Sequence, residues 1–231
     1  MDTIVAIATA PGIGGIGIVR MSGKDCFSIL ENIFVPKHKE NIEQIKGYTM
    51  KYGQIISKET GTVIDEVLVS YFKEPKSYTT ENMCEINSHG GMIVLQKILE
   101  ECLKNGAVLA EPGEFTKRAF LNGRIDLSQA ESVIDIIHAK SEKELHANMR
   151  QLEGYLSKEI RQIRKELMDI MVDIEASIDY PEYDVEEVTN AKAMQTLEHC
   201  KEKLQLLEKS FENGKVVKEG IKTVIVGRPN A

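Results

Sequence analysis

The spacing of apolar residues divides the chain near residue 128. Before that point, short runs rich in β-branched and aromatic residues alternate with turn residues, which is typical of strands joined by short loops. Helical periodicity occurs there at 26–34 and 92–104, and Asn105-Gly106 is expected to end the second helix. The predicted strands are 3–8, 17–21, 48–56, 62–72 and 83–87. Residues 1–127 are therefore predicted to form a mixed unit of strands and helices.

From residue 128 onward the apolar residues recur at steps of mostly three and four. This spacing predicts a helical stripe that runs from Ala130 to Ile174 with a nearly heptad repeat. A continuous helix of about 50 residues would be about 75 Å long. Gly154 is the candidate break in it, because glycine is a poor helix former. Pro181 ends the stripe, and the acidic residues at 182–187 are expected to form a solvated connector.

A second helix and a last strand are predicted after this connector. Thr189 is the candidate cap of the helix, which is expected to run through Glu212 and to end at Asn213-Gly214. Residues 222–226 (KTVIV) then have the β-branched composition of a short strand. The predicted order is thus a mixed unit, a helical segment and one further strand.

The residues after this strand fit the beginning of a phosphate-binding loop. A P-loop is written G-x-x-x-x-G-K-[ST] and lies between a strand and a helix. Gly227 fits its first glycine, and 228–231 fill the four variable positions. The lysine that reaches the β- and γ-phosphates and the hydroxyl that holds Mg²⁺ would follow. We therefore expect the front part of a larger protein, which does not hydrolyse a nucleotide by itself; an ordinary tail is the alternative.

Composition narrows the possible classes of function. The formal net charge is −7, from 29 Lys+Arg and 36 Asp+Glu, which argues against nonspecific adhesion to nucleic acid but allows a local RNA-binding patch. No apolar run approaches the about 20 residues that cross a bilayer, so no membrane association is expected. The four cysteines form no CxxC pair, which favours reduced thiols and a cytoplasmic location.

A glycine cluster at 12–17 satisfies G-x-G-x-x-G after a predicted strand. A dinucleotide site of this type needs a helix to begin at once, because the helix N-terminus holds the pyrophosphate. Here the β-branched run at 18–21 follows instead and stops at a turn. We therefore reject an NADH-binding oxidoreductase, and expect the glycines to allow a tight turn between strands or a close approach of the backbone to a ligand.

Several segments resemble the MnmE (TrmE) family of tRNA-modification GTPases. They occur in the order of the family along the whole chain, and the block at 111–127 (EPGEFTKRAFLNGRIDL) is the most specific of them. The other segments are 2–6 (DTIVA), 11–20 (PGIGGIGIVR), 77–81 (SYTTE), 89–91 (HGG), 128–131 (SQAE) and 227–231 (GRPNA).

The resemblance implies an α+β fold with three parts. Residues 1–121 would be an N-terminal α/β domain that binds a tetrahydrofolate and forms a homodimer. Residues 122–217 would be the first part of an all-α helical domain. Residues 218–231 would contain the first strand of a truncated P-loop G domain.

The family's activity belongs to the whole protein. With an MnmG-like flavoprotein that uses NADH, the family adds an aminomethyl or carboxymethylaminomethyl group at C5 of the wobble uridine of tRNA, and methylene-tetrahydrofolate is the implied one-carbon donor. GTP hydrolysis, which needs Mg²⁺ and potassium-dependent pairing of G domains, drives the conformational cycle. The resemblance assigns Gly227, Asn230 and Ala231 to the nucleotide loop, and Asn230 also to K⁺.

The family's folate contacts match three positions of this chain, Arg20, Glu85 and Arg124. A carboxylate can accept hydrogen bonds from the amino group and ring N–H of a pterin, and a guanidinium can hold a carboxylate in a fork. The expected ligand is 5-formyl- or methylene-tetrahydrofolate, and no side chain of this chain is expected to make or break a bond. A dimerisation scaffold that binds no small ligand is the competing hypothesis.

Overall fold

Two units make up the chain, Met1–Ile125 and Asp126–Ala231. The structure, a computed structural model, describes residues 1–38, 47–179 and 190–219 together with Val224, Val226 and Gly227. Within these residues all seven strands belong to the first unit, and the second unit contains helices only. The predicted α+β class is therefore confirmed.

One twisted sheet forms the frame of the first unit. Its strands are β1 (Ile4–Ile7), β2 (Gly14–Ser22), β3 (Phe34–Pro36), β4 (Thr49–Ile56), β5 (Val63–Phe72), β6 (Met83–Gly90) and β7 (Val108–Leu109). The spatial order is β3-β4-β5-β6-β2-β1-β7, and every pair is antiparallel except β1 with β7. The predicted hairpin of β4 and β5 is confirmed. β2 is an interior strand of the sheet and lies between β6 and β1.

Two of the three helices of the first unit cover one face of this sheet. The helices of the first unit are α1 (Cys26–Ile33), α2 (Met92–Lys104) and α3 (Glu114–Leu121). Apolar residues of α1 and α2 form one core with Val19, Val69 and Ile86 of the central strands. Because side chains alternate between the faces of a strand, the neighbouring Arg20 and Glu85 project from the opposite face.

The glycine cluster lies where β1 turns back into β2. β2 is antiparallel to β1 and begins at Gly14, so a strand follows the cluster where a dinucleotide site would have a helix. The predicted strand after the cluster is therefore confirmed. Gly90 of β6 permits a close approach to the cluster, since a Cβ on it would overlap the carbonyl oxygen of Gly14.

A buried polar cluster joins β2, the loop before β6 and α3. Arg118 is 4% exposed, and its Nη1 donates to both carboxylate oxygens of Glu81 at 3.2 Å. Its Nη2 and Nε donate to Oε1 of Glu114 at 2.9 and 3.2 Å. The hydroxyl of Ser22 donates to Glu81 at 2.8 Å and lies 2.6 Å from that of Thr79. One guanidinium is thus held between two carboxylates.

The same cluster extends to the end of α3. Asn122 Nδ2 donates to the carbonyl oxygen of Thr79 at 2.7 Å. Ser22 is two residues beyond Arg20 on β2, and Asn122 is two residues before Arg124. The cluster therefore holds in place the segments that carry these two arginines.

Four helices form the described part of the second unit. They are α4 (Leu127–His138), α5 (Glu142–Leu152), α6 (Tyr155–Asp179) and α7 (Asn190–Glu219). The predicted stripe is therefore not one continuous helix. The break at Gly154 is confirmed, and its φ of 77° suits glycine. A second break was missed at Ser141, whose hydroxyl accepts from the backbone N–H of Glu144 and caps α5.

The predicted end of the last helix is wrong. α7 continues to Glu219 and includes Asn213-Gly214. A glycine inside a helix costs only about 1 kcal/mol relative to alanine, so it need not end the helix. Thr189, the connector at 182–187 and most of the predicted strand at 222–226 lie outside the described residues.

Two further observations concern the hydropathy of the helices and the state of the cysteines. None of the helices in the described ranges combines the length and the hydropathy of a membrane-spanning segment. All four cysteines are buried free thiols, in agreement with the absence of disulfides expected from their spacing.

A polar group of side chains joins α6 to α7. Glu166 accepts a hydrogen bond from Lys203 at 2.9 Å and another from Gln162 at 3.0 Å. These two hydrogen bonds, that of Lys203 first, lower the pKa of Glu166 to about 2. Cys200 lies 3.5 Å from the same carboxylate, which helps to raise the pKa of its thiol, although burial is the larger cause.

Removal of the Arg118 guanidinium is expected to destabilise the first unit. Arg118→Met leaves Glu81 and Glu114 without their shared cation, and breaking a buried pair in this way costs about 3 kcal/mol or more. Equilibrium urea unfolding measures the loss. Lys97→Met is the control, because Lys97 and Glu100 form an exposed ion pair whose loss costs below about 1 kcal/mol. Equal stability of the two variants would contradict a structural role for the cluster.

Glu166 is expected to make α6 and α7 sensitive to acid. Its folded pKa lies below the ordinary 4.5, so its stabilising effect is complete above pH 4.5 and is lost as the pH falls toward 2. Lys203→Met should raise this pKa toward the ordinary value, and Lys201→Met should leave it unchanged. A ¹³C NMR titration of the Glu166 carboxyl measures both. A pKa that stays near 2 in Lys203→Met would contradict the assigned cause.

Candidate functional site

The three residues assigned to a folate lie together in one cleft of the first unit. Arg20, Glu85 and Arg124 all line a cavity of about 540 Å³. This volume falls within the range of small-molecule sites. Arg20 comes from β2, Glu85 from β6, and Arg124 from the turn after α3. Residues that are far apart in the sequence therefore meet at one place.

Arg20 and Glu85 face each other across neighbouring strands. They are direct partners in the antiparallel register of β2 and β6. Nη2 and Nε of Arg20 lie 2.7 and 2.9 Å from Oε1 of Glu85, with side chains that are 30% and 19% exposed. Oε2 of Glu85 makes no hydrogen bond to another described residue, so this oxygen can accept one from a ligand.

Arg124 lies against an aromatic ring that sequence analysis did not select. Its guanidinium carbon is 4.8 Å from the centroid of Tyr78, and that of Arg20 is 5.8 Å from the same centroid. The Tyr78 hydroxyl is 2.9 Å from that of Thr116 on α3, which fixes the ring. Cation–π attraction thus orients both arginines. Arg124 has no carboxylate partner within the described chain.

The charged residues that line the cleft are mostly cations. Arg20, Lys76 and Arg124 are positive, and Glu85 is the one carboxylate among the lining residues. The charged residues that line the cleft therefore carry a net charge of +2. Since the whole chain is at −7, the cleft is a basic site on an acidic protein. It can attract an anion while one carboxylate remains available to accept hydrogen bonds.

Two strained backbone positions also line the cleft. Among the described residues, Tyr48 and Thr80 are the non-glycine residues with positive φ, at 62° and 63°. Such a conformation costs about 1–3 kcal/mol and is concentrated at ligand sites. Tyr48 is held by an edge-to-face contact with Phe72, with 5.8 Å between the ring centroids. Neither residue stood out in the sequence, because no local pattern at these two positions indicates a left-handed backbone.

The residues assigned to the nucleotide loop are only partly described. Gly227 is exposed and lies outside helix and strand. Asn230 and Ala231 lie outside the described residues. No group of three or more His, Cys, Asp or Glu side chains that could hold a metal ion occurs in the described part of the chain.

Comparison with known proteins identifies both units. The family model described as "GTP-binding protein TrmE N-terminus" matches residues 3–124, and the model described as "MnmE helical domain" matches residues 127–225. The two matches fall on the two units of the structure.

Individual relatives agree with the family models. Proteins named "tRNA modification GTPase MnmE" from Acetivibrio thermocellus and Thermoanaerobacter pseudethanolicus are 52% and 51% identical over 229 residues. The protein of that name from Streptococcus pyogenes serotype M1 is 49% identical over 230 residues. Each alignment covers 99% of this chain and 50% of the relative, so the chain spans about half the length of these relatives. The chain belongs to the MnmE (TrmE) family of tRNA modification GTPases.

Proposed function

We propose that the first unit binds a reduced folate, 5-formyl- or methylene-tetrahydrofolate, in the cleft of Arg20, Glu85 and Arg124. The observation that carries the proposal is the meeting of one partly satisfied carboxylate and two guanidinium groups around the ring of Tyr78. A reduced folate has hydrogen-bond donors on its pterin and carboxylates at its other end. Both ends therefore have complementary groups in this cleft.

Each side chain has a distinct role in this proposal. Oε2 of Glu85 accepts from the amino group or ring N–H of the pterin, while Oε1 stays bonded to Arg20. Arg124, which has no carboxylate partner in the described chain, takes a carboxylate of the ligand. Tyr78 offers an aromatic surface between the two. These residues bind and position a one-carbon donor, and none of them is assigned a bond-making step.

The three parts of the chain receive different roles. Residues 1–121 form the folate-binding and dimerisation domain, 122–217 the first part of the helical domain, and 218–231 the beginning of the G domain. The match of a family model to residues 3–124 supports an N-terminal domain of about this extent.

The uncovered face of the sheet supports a homodimer. Met50, Tyr52 and Leu68 lie on β4 and β5, on the face away from α1 and α2, and remain exposed. Ser70, which is paired with Met50, is also paired with Glu85, so this apolar surface is continuous with the cleft face. Burial of exposed apolar side chains favours association of two copies.

The activity of the whole protein is also part of the proposal. Its relatives are named as tRNA modification GTPases. We assign to it GTP hydrolysis with Mg²⁺ and K⁺, an MnmG-like flavoprotein partner, and modification of the wobble uridine of tRNA at C5. Gly227, Asn230 and Ala231 would begin the nucleotide loop, and Asn230 would also bind K⁺.

The competing function is a dimerisation scaffold without a small ligand. The exposed apolar surface of β4 and β5 is compatible with it. Two strained residues and an excess of cations in one cleft favour the folate site, because a scaffold requires neither.

Calorimetric titration of 5-formyltetrahydrofolate into the chain tests this function. We expect saturable binding that Glu85→Gln and Arg124→Met each weaken at least about tenfold, since each removes a charged hydrogen-bonding group. Lys97→Met removes a positive charge, as Arg124→Met does, but on α2, outside the cleft. This variant should bind the ligand like the wild type.

Light scattering on the same samples separates the two hypotheses. A folded dimer that shows no saturable binding of 5-formyltetrahydrofolate would contradict the folate proposal and favour the scaffold. Equal affinity in all four proteins would place the ligand outside this cleft.

A further inference from the structure

The first half of α6 carries four cations that no carboxylate of the described residues neutralises. Lys158, Arg161, Arg164 and Lys165 are all exposed. None of their side chains makes an ion pair or a hydrogen bond to another residue in the described part of the chain. At 3.6 residues per turn, the four side chains leave the helix within an arc of about 120°. They form one basic stripe along a single side of α6.

The carboxylates of the same segment face another direction. Glu166 is bonded to Lys203 of α7 at 2.9 Å. Glu159 contributes to the raised pKa of Lys203, after the larger effect of the hydrogen bond to Glu166, so it too lies toward α7. These two acids of the first half of α6 therefore lie toward α7. The cations face away from the pairing of α6 with α7 and are not balanced by it.

An arginine stacked on an aromatic ring lies at the beginning of the stripe. Arg150, in the last turn of α5, places its guanidinium carbon 4.3 Å from the ring centroid of Tyr155. Tyr155 begins α6 and is 43% exposed. Tyr155 and Lys158 are three residues apart and so neighbours on the helix. The surface thus combines a line of cations with an exposed aromatic residue.

We propose that this basic stripe of α6 (Lys158, Arg161, Arg164 and Lys165), with Arg150 on Tyr155 at its start, is a contact surface for the phosphate backbone of tRNA. The proposal rests on the proposed function, in which the whole protein acts on tRNA. It goes further by assigning the contact to one side of one helix.

Charge complementarity favours RNA as the ligand of the basic stripe. An RNA backbone is a continuous line of phosphates, and guanidinium and ammonium groups in a row can pair with successive phosphates. An exposed aromatic ring beside such cations suits stacking with an unpaired base. An acidic protein segment could pair with the cations, but its binding would not require the aromatic ring of Tyr155. Backbone contacts of this type position the RNA and do not read its sequence.

The dependence of tRNA affinity on salt concentration can be predicted from the number of cations in the stripe. Because the net charge is −7, the surface as a whole disfavours RNA, and we expect binding to depend mainly on this stripe. Each phosphate that a cation neutralises contributes about 0.7–0.9 to the slope of log affinity against log salt concentration. Removal of three cations should therefore reduce the magnitude of the slope by about two to three.

Fluorescence anisotropy of a labelled tRNA, titrated with the chain at several KCl concentrations, tests the proposal. The test variant is Lys158→Gln/Arg161→Gln/Lys165→Gln. The control is Lys24→Gln/Lys201→Gln/Lys209→Gln, which changes the net charge equally at exposed positions outside the stripe. We expect the test variant to lose about tenfold or more in affinity and the control to keep the wild-type slope. Circular dichroism verifies that both variants retain their helices.

Three outcomes would overturn the proposal. If both triple variants keep the wild-type slope, tRNA binds elsewhere, and the proposed function stands without the stripe. If poly-glutamate of similar length competes as well as unlabelled tRNA, the stripe selects acidic polypeptides instead. If the wild type does not bind tRNA even at about 50 mM salt, where backbone contacts are strongest, the chain has no such surface. The folate titration is independent of all three.

Discussion

The burial of Arg118 between two carboxylates is the constraint on which the first unit depends. A guanidinium that leaves water needs compensation for each of its donors, and Glu81 and Glu114 supply it. Glu81 comes from the loop before β6 and Glu114 from α3, so the ion cluster joins these two segments. Through Ser22 it also reaches β2. The ion cluster of Arg118, Glu81 and Glu114 therefore holds in place the segments that form the cleft, although it takes no part in ligand binding.

The pairing of each arginine indicates its role. Arg118 is fully paired and buried, which suits a structural group. Arg20 is paired with one oxygen of Glu85 and remains partly exposed, so it can hold that carboxylate in position and still face a ligand. Arg124 has only an aromatic ring beside it in the described chain. The same reasoning leads from the cations of α6, whose side chains have no partner among the described residues, to an anionic partner of the second unit.

Local patterns in the sequence predicted local structure, and long-range pairing was beyond them. The hairpin of β4 and β5 and the break at Gly154 follow from nearby residues. The parallel pairing of β1 with β7 joins positions about a hundred residues apart, which no periodicity indicates. The resemblance supplied Arg20, Glu85 and Arg124, whereas Tyr78 was missed because its importance comes from two arginines that meet only after folding.

The most direct test of the central claim is a crystal structure of the chain with 5-formyltetrahydrofolate. We expect the pterin within hydrogen-bonding distance, about 3 Å, of Oε2 of Glu85, and a ligand carboxylate at the same distance from Arg124. Arg20 should remain bonded to Glu85. A ligand bound outside this cleft, or bound with Glu85 and Arg124 untouched, would contradict the account.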